Sequence, residues 1–169
     1  MSKDASVIVL HVLESDSILL TERTGHLKDH PGEICFPGGQ WQQSDESLYQ
    51  TALRELHEEL GIDCARVILK QQLNTEITLT GFTIYPWLAA LETLEPYQIN
   101  HDEVNELILL PCDQVCNPHN YQKVFVEKNG YRLSSCQFTP HPKFIWGATA
   151  RIMKQLGDLA YYSQPLRQG

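Results

Sequence analysis

Lysine and arginine never gather into a run in this chain, and they are outnumbered. Thirteen of them face 21 aspartates and glutamates, for a formal net charge of -8 and a pI near 5.3. A surface of that sign repels polyanions, which argues against generic nucleic-acid or membrane-surface binding. A phosphorylated ligand would have to be held by a metal ion or by a few placed cations. Cysteine is scarce too. Cys35, Cys64, Cys112, Cys116 and Cys136 are odd in number and contain no C-x-x-C pair. They read as reduced packing residues of a cytoplasmic protein and not as a disulfide framework. Cys112, Cys116 and His119 are poorly spaced for zinc, with Pro118 intervening. Long hydrophobic runs are also missing: the N-terminal apolar stretch is short and broken by His11 and Glu14, which predicts neither a signal peptide nor a membrane span. Repeats and low-complexity tracts are absent, and 169 residues suit one domain, 1–169, with a core that needs no staples.

What the chain does have is concentrated between Gly38 and Ile62, GGQWQQSDESLYQTALRELHEELGI. The second half predicts a helix, with Ser44 or Asp45 as N-cap, an acidic first turn at Asp45 and Glu46, and Gly61 as the stop. At about 100° per residue, Tyr49, Leu53, Leu56 and Leu60 fall on one stripe, and Glu55, Glu58 and Glu59 fall on roughly the opposite side. Glu55 and Glu59 are like charges one turn apart, with Glu58 between them, and such pairs cost a helix a few tenths of a kcal/mol, roughly. A divalent cation would turn the repulsion into ligation. Hard oxygen donors without Cys or His suit Mg²⁺ or Mn²⁺, which complete their shells with water and substrate phosphates. The competing reading is a solvated acidic face with Arg54 or Lys70 as counterion.

The wider spacing favours the metal. Arg54-Glu55-Leu56-x-Glu58-Glu59-x-Gly61-Ile62, with Glu46 eight positions before Arg54 and a Gly-Gly pair upstream, resembles the Nudix box, G-x5-E-x7-R-E-U-x-E-E-x-G-U with U aliphatic. Six residues, not five, lie between Gly39 and Glu46, so the loop carries one extra residue. The resemblance implies an α/β fold, the Nudix α/β/α sandwich, with a mixed sheet between the box helix and a C-terminal helix. It implies Mg²⁺ or Mn²⁺ held by Glu55, Glu58 and Glu59, and Glu46 reaching Arg54 to hold the loop against the helix. An acidic residue at or before a later strand often faces the box helix in this family. Glu103 and Glu106 are the matching candidates for completing the metal site or serving as general base, and Glu103 is preferred.

A second resemblance precedes the box. Leu19-Leu20-Thr21-Glu22-Arg23-Thr24, then Lys28, Gly32 and Phe36-Pro37-Gly38-Gly39, is similar to the signature of Nudix hydrolases of coenzyme A type. Thr24 stands where Ser or Ala is usual. Lys28 replaces an arginine, which keeps the charge and loses the bidentate fork. Gln40 and Gln42 replace residues that are often Arg and Asp. Phe144 to Ile152, with IWGATAR, resembles the start of that subfamily's closing helix. The implied activity is cleavage of the diphosphate of coenzyme A or an acyl derivative, with Glu58, Glu59, Glu103 and Glu106 as catalytic candidates and Arg23, Lys28, His30, Gly38 and Gly39 near the substrate. Two alternatives stay open: a general hydrolase of ADP-ribose, dinucleotides or nucleoside triphosphates, and a Nudix-fold module that senses a nucleotide without hydrolysing it. A homodimer stays open as well.

Along the rest of the chain, Ser6 to Leu13 and Ser17 to Thr21 predict neighbouring strands, and Ile34 to Phe36 a short one. Arg66 to Leu73 and Phe82 to Leu91 predict two more. Tyr85, Trp87 and Phe82 could stack on a base, although alternating aromatics in a strand are more often core. Tyr121 to Val126 and Tyr131 to Phe138 flank Asn129-Gly130, a type I′ hairpin signal. Trp146 to about Tyr162 predicts the last helix.

Overall fold

The structure is a computed structural model, described over residues 3–159. Alternation of apolar residues in the predicted strands gives each sheet face its own core. Strand β1 (Asp4–Val12) turns Ile8, Leu10 and Val12 to one side and Val7 and Val9 to the other. Strand β2 (Ser17–Arg23) divides Leu19 from Ile18 and Leu20 in the same way. The short strands β3 (Ile34–Cys35) and β4 (Gly38–Gln40) follow, then helix α1 (Leu48–Leu60). After it come β5 (Ile68–Gln72), β6 (Glu76–Ile77), β7 (Thr83–Leu91) and β8 (Val104–Pro111). Together these eight strands form a mixed sheet in which β1 and β7 run parallel along their whole length, from Asp4↔Thr83 to Val12↔Leu91. Helix α1 covers one face with Ala52, Leu53, Leu56 and Leu60, and helix α3 (Gly147–Gln155) covers the other with Ile152 and Met153. The expected sandwich is present.

The β1–β2 hairpin is shorter than its strands. Only His11↔Ile18 and Val12↔Ser17 pair, while β2 pairs along its length with β8. Beyond that point the two strands part, and the opening is filled by β3 against β2 and by β4 against the start of β1. This opening brings Gly38-Gly39, the end of β2 and the carboxylate face of α1 together.

Three boundaries differ from expectation. Ser47, not Ser44 or Asp45, caps α1, its Oγ accepting from the Gln50 N–H at 3.1 Å. Asp45 and Glu46 precede the helix, because the Asp45 carboxylate closes a turn on the Gln42 N–H (2.9 Å) and accepts from Thr51 Oγ1 (2.9 Å). The stop at Gly61 is as expected: φ is 64°, a region in which a Cβ is strained, and its N–H donates to the His57 carbonyl. The closing helix begins only at Gly147, because Ile145 and Trp146 form β11 against β10. It passes into a 3₁₀ turn at Leu156–Asp158, and Leu159 is extended, so it ends before Tyr162. Tyr162 itself lies outside the described residues.

A separate antiparallel sheet was not foreseen as a unit. Strands β9 (Tyr121–Lys128) and β10 (Tyr131–Phe138) pair through the expected turn, where Asn129 and Gly130 both have positive φ, and β11 (Ile145–Trp146) adds to β10. Between β8 and β9 lies a one-turn helix α2 (Cys112–Val115). Among the described residues no helix is long and apolar enough to cross a membrane. Leu56 has no exposed surface beneath α1. Leu56→Ala is expected to lower unfolding free energy by about 2–5 kcal/mol, read as a shifted urea midpoint with an unchanged slope.

Candidate active site

The apolar stripe of α1 fixes which way its carboxylates point. With Leu53, Leu56 and Leu60 sealed against the sheet, Glu55 and Glu59 face the opening beside β4. Glu59 is only 5% exposed, and its Oε1 lies 3.5 Å from the Gly38 N–H. Closeness to the backbone of β1 requires the glycine at Gly38, and Gly39 packs directly on Glu55. A Cβ on Gly39 would press into the Glu55 carboxylate, 2.6 Å from its Cδ, and one on Gly38 would fall 2.8 Å from Val7 Cα.

Glu103 joins this pair from the other side. The loop before β8 is tied to the end of α1, where Gln98 N–H donates to the Leu60 carbonyl (2.7 Å) and Asn100 N–H to that of Glu59 (2.9 Å). The end of β2 holds it too, through Thr24 N–H on the Glu103 carbonyl (3.1 Å). The result is that Glu55, Glu59 and Glu103 each place a carboxylate oxygen within 4.8 Å of the others. Burial pushes the Glu59 carboxyl well above the usual carboxylate range, and the neighbouring Glu55 charge pushes it further. Glu55 is raised as well, chiefly by burial, although Arg54 pulls it back.

Arg54 organises the other flank. Its Nε and Nη2 grip Asp45 at 2.8 and 3.0 Å, Nη1 reaches Glu55 at 3.0 Å, and Nη2 donates to the Gln40 carbonyl at 3.2 Å. The fork holds the Asp45 carboxyl far below its ordinary range. Glu46, expected to take this place, is exposed. The extra loop residue explains the exchange. Counting back from Arg54 selects Glu46, but leaving five residues after Gly39 selects Asp45, and the chain follows the glycine end.

Other expected residues scatter. Glu58 stays outside the trio, its side chain 48% exposed and 3.4 Å from Arg54. Glu106 is drawn to the other face of the sheet, where Lys143 Nζ bridges it (2.5 Å) to Glu22 (2.6 Å). Arg23 lies near enough to Glu59 to favour its charged form. Lys28 and His30 sit on the exposed loop after β2, with His30 paired to Glu33 at 3.1 Å. Trp87 belongs to the core, as favoured: its ring packs on Tyr49 and its Nε1 donates to Ser6 Oγ at 2.9 Å. The Lys143 bridge carried no signal in the sequence, since its partners are 121 and 37 positions away.

Comparison with known proteins settles the family. A sequence model of the NUDIX domain matches residues 2–128. The chain belongs to the Nudix family. It is 31% identical over 155 residues to the Nudix hydrolase NudL of Pectobacterium atrosepticum, itself uncharacterized, covering 91% of this chain and 81% of that one. NudL of an Enterobacter species is 30% identical, with 90% and 79% covered. Among solved structures, a MutT/nudix family protein from Enterococcus faecalis superimposes with a TM-score of 0.61 at 17% identity, over 92% of this chain and 61% of that one. The Nudix domain of Shewanella oneidensis NrtR, solved with ADP-ribose, gives 0.52 at 23% identity, over 68% and 76%. These two likenesses concern the fold.

A divalent metal is typical of Nudix enzymes, and this site fits one. Three oxygen donors lie close together, two are shielded from water, and Arg54, on one oxygen of Glu55, offsets only part of their charge. Two outcomes follow. Asp45→Asn is expected to destabilise the protein by about 2 kcal/mol, the scale of a hydrogen bond to a charged group, with Glu46→Gln unchanged in the same thermal melt. The second concerns pH. Glu59 is raised in the folded state above its ordinary 4.5, so without metal its contribution to stability is present below that pH and fades as pH rises through the raised value. Asp45, lowered instead, loses its contribution only in strong acid and stays constant from pH 5 to 8. The rise in Tm caused by Mn²⁺ over EDTA is therefore expected to grow from pH 5 to pH 8, because the ligands must be deprotonated to bind. An equal rise at both pH values would contradict the assignment.

Proposed function

We propose that this Nudix hydrolase cleaves the diphosphate of coenzyme A or its acyl derivatives, giving 4′-phosphopantetheine and adenosine 3′,5′-bisphosphate. The observation that carries this reading is the placement of the segment resembling the coenzyme A type. Its Arg23 lies within electrostatic range of Glu59, and its Gly38-Gly39 end packs against Glu55 and Glu59, so the segment borders the carboxylate site itself.

Glu55, Glu59 and Glu103 would hold Mg²⁺ or Mn²⁺. Bound there, the ion would neutralise charge on the diphosphate and make its water a better nucleophile. The remaining work falls to the chain. Arg23 offers a guanidinium to the phosphates at the mouth of the site, with Lys28 and His30 on the adjoining loop. Gly38 and Gly39 admit the diphosphate close to the backbone. Of the two carboxylates considered as general base, Glu103 is within the cluster, whereas Glu106 is engaged by Lys143 on the far side of the sheet. Glu58, exposed beside Arg54, can contribute from the rim. Arg54 and Asp45 keep the helix and its preceding loop in register with the site.

Lys28, Gln40 and Gln42, which depart from the coenzyme A signature, favour a second reading as a broader hydrolase of nucleoside diphosphate derivatives. NrtR with ADP-ribose and the C. elegans Ap4A hydrolase, which superimposes with a TM-score of 0.55 at 20% identity, show what the fold can accommodate. All three box carboxylates are retained, which speaks against a purely sensing module.

Purified protein with Mg²⁺ or Mn²⁺ is expected to convert coenzyme A to the two named products when set against ADP-ribose, dinucleotides and nucleoside triphosphates. Intact coenzyme A alongside consumed ADP-ribose would overturn the first reading. On whichever substrate is cleaved, Glu59→Gln and Glu103→Gln are each expected to lower kcat by about two orders of magnitude or more with an unchanged circular dichroism spectrum, and Glu106→Gln by only a few-fold.

A further inference from the structure

On the other face of the β2–β3 edge lies a cleft that the chemistry above does not use. It has a volume of about 500 Å³ and is lined by Glu22, Glu33, Ile34, Lys143, Phe144 and Trp146. That size suits a small-molecule group. Its construction follows from register. Glu22 stands opposite Ile34 on β3 and Glu106 on β8, and residues so paired share a face of the sheet. Their neighbours Arg23 and Cys35 lie on the carboxylate side, within electrostatic range of Glu59. The loop joining β2 to β3 borders both regions: Thr24 is bonded to the Glu103 carbonyl at one end, and Glu33 lines the cleft at the other. The same loop thus touches the carboxylate side at one end and the cleft at the other.

The lining says what such a ligand would bring. Phe144 and Trp146 are stacked, with ring centroids 5.5 Å apart and planes 17° from parallel, and Phe144 is 45% exposed. Trp146 is anchored by its pairing with Gln137 in β10, so the platform is set before anything binds. Lys143, the one cation in the lining, is already held by Glu22 and Glu106. With Glu33 the surroundings carry more negative than positive charge, which disfavours a phosphate there. A flat, uncharged ring that donates hydrogen bonds is favoured, since stacking on an aromatic face gives affinity and carboxylates accept from an amino group.

We propose that this cleft receives the base of the substrate nucleotide, an adenine-type ring stacked on Phe144 with its amino group turned to the Glu22 and Glu33 carboxylates. This assignment rests on the reading of the chain as a hydrolase of nucleoside diphosphate derivatives and names where their base sits. It also gives a role to an aromatic pair in the segment resembling the closing helix of the coenzyme A type, which helix packing alone would leave buried.

The experiment has two arms. In the first, AMP and ribose 5-phosphate, neither of which has a diphosphate to cleave, are titrated into the full chain with Mn²⁺ and followed by calorimetry. AMP is expected to bind about tenfold more tightly, and Phe144→Ala to abolish the difference while Phe144→Tyr keeps it. In the second arm, Phe144→Ala is expected to raise KM about tenfold for the adenine-bearing diphosphate that is cleaved, with kcat held within twofold. Equal affinity for AMP and ribose 5-phosphate in the folded wild type, or a fall in kcat with KM unmoved, would overturn the assignment. If no diphosphate is hydrolysed but AMP binding depends on Phe144, the hydrolase reading fails and the base site stands. Because Phe144 is partly exposed, its truncation is expected to leave the thermal melt unchanged, which keeps both arms readable.

Discussion

Three carboxylates held within 4.8 Å of one another, one of them nearly buried, are the constraint around which the rest of this structure is arranged. Left alone, such a group repels itself, and burial penalises the Glu55 and Glu59 charges further. The fold nevertheless commits three separate segments to producing it. Helix α1 supplies Glu55 and Glu59 on the flank of its apolar stripe, the loop tied to the end of that helix supplies Glu103, and the Gly38-Gly39 strand closes in so tightly that a Cβ at Gly38 would meet the backbone of β1. Destabilisation concentrated in one place and supported from several directions is what a binding site for a divalent ion requires, because the same repulsion is relieved on ligation.

The neighbouring Arg54 shows how the cluster is kept from spreading. Its fork satisfies Asp45 and one oxygen of Glu55, so positive charge reaches the edge of the site without entering it. Asp45 also explains how the family's loop absorbs an extra residue. The carboxylate must appear where the turn from β4 delivers it, and the turn is measured from the glycines that pack on Glu55 and β1. The additional residue is then taken up between Asp45 and Ser47, ahead of the first helical turn, where no packing contact fixes the spacing. Seen from the arginine, Glu46 has the expected separation; seen from the backbone, Asp45 has the reach.

This accounts for which parts of the protein were legible in the sequence. The strands and the body of α1 were, because period-2 and period-3.6 patterns of Val, Leu and Ile report burial directly. The gathering of acidic groups was legible in part: the spacing put Glu55 and Glu59 on one side of the helix and pointed to Glu103, and these three side chains meet. The partner of Arg54 was legible only to a count begun at Gly39. The division of labour among the acidic residues was not: Glu58 and Glu59 are adjacent in sequence, yet one helical step of about 100° separates a solvated side chain from a nearly buried one. Glu103 and Glu106 differ in the same way, and the deciding contacts come from Asn100 and from the distant Lys143. The second sheet escaped because its strands read correctly one by one, while their separation from the main sheet is a matter of tertiary pairing.

An acidic chain that handles phosphorylated ligands must also keep its own field from expelling them, and the distribution of charge in this fold addresses that. With a net charge of -8, uniform spreading would oppose any polyanion. Here the cations are used locally: Arg23 within electrostatic range of Glu59, Arg54 at the flank of Glu55, and Lys143 between Glu22 and Glu106. The first two border the carboxylate site, where phosphate charge would gather. The third is spent on the chain's own carboxylates, which leaves the far cleft acidic and its aromatic wall accessible. A ligand with a charged middle and a flat, neutral end would therefore find each part matched on a different side of the same two-stranded edge, so orientation would follow from charge before any specific hydrogen bond is made.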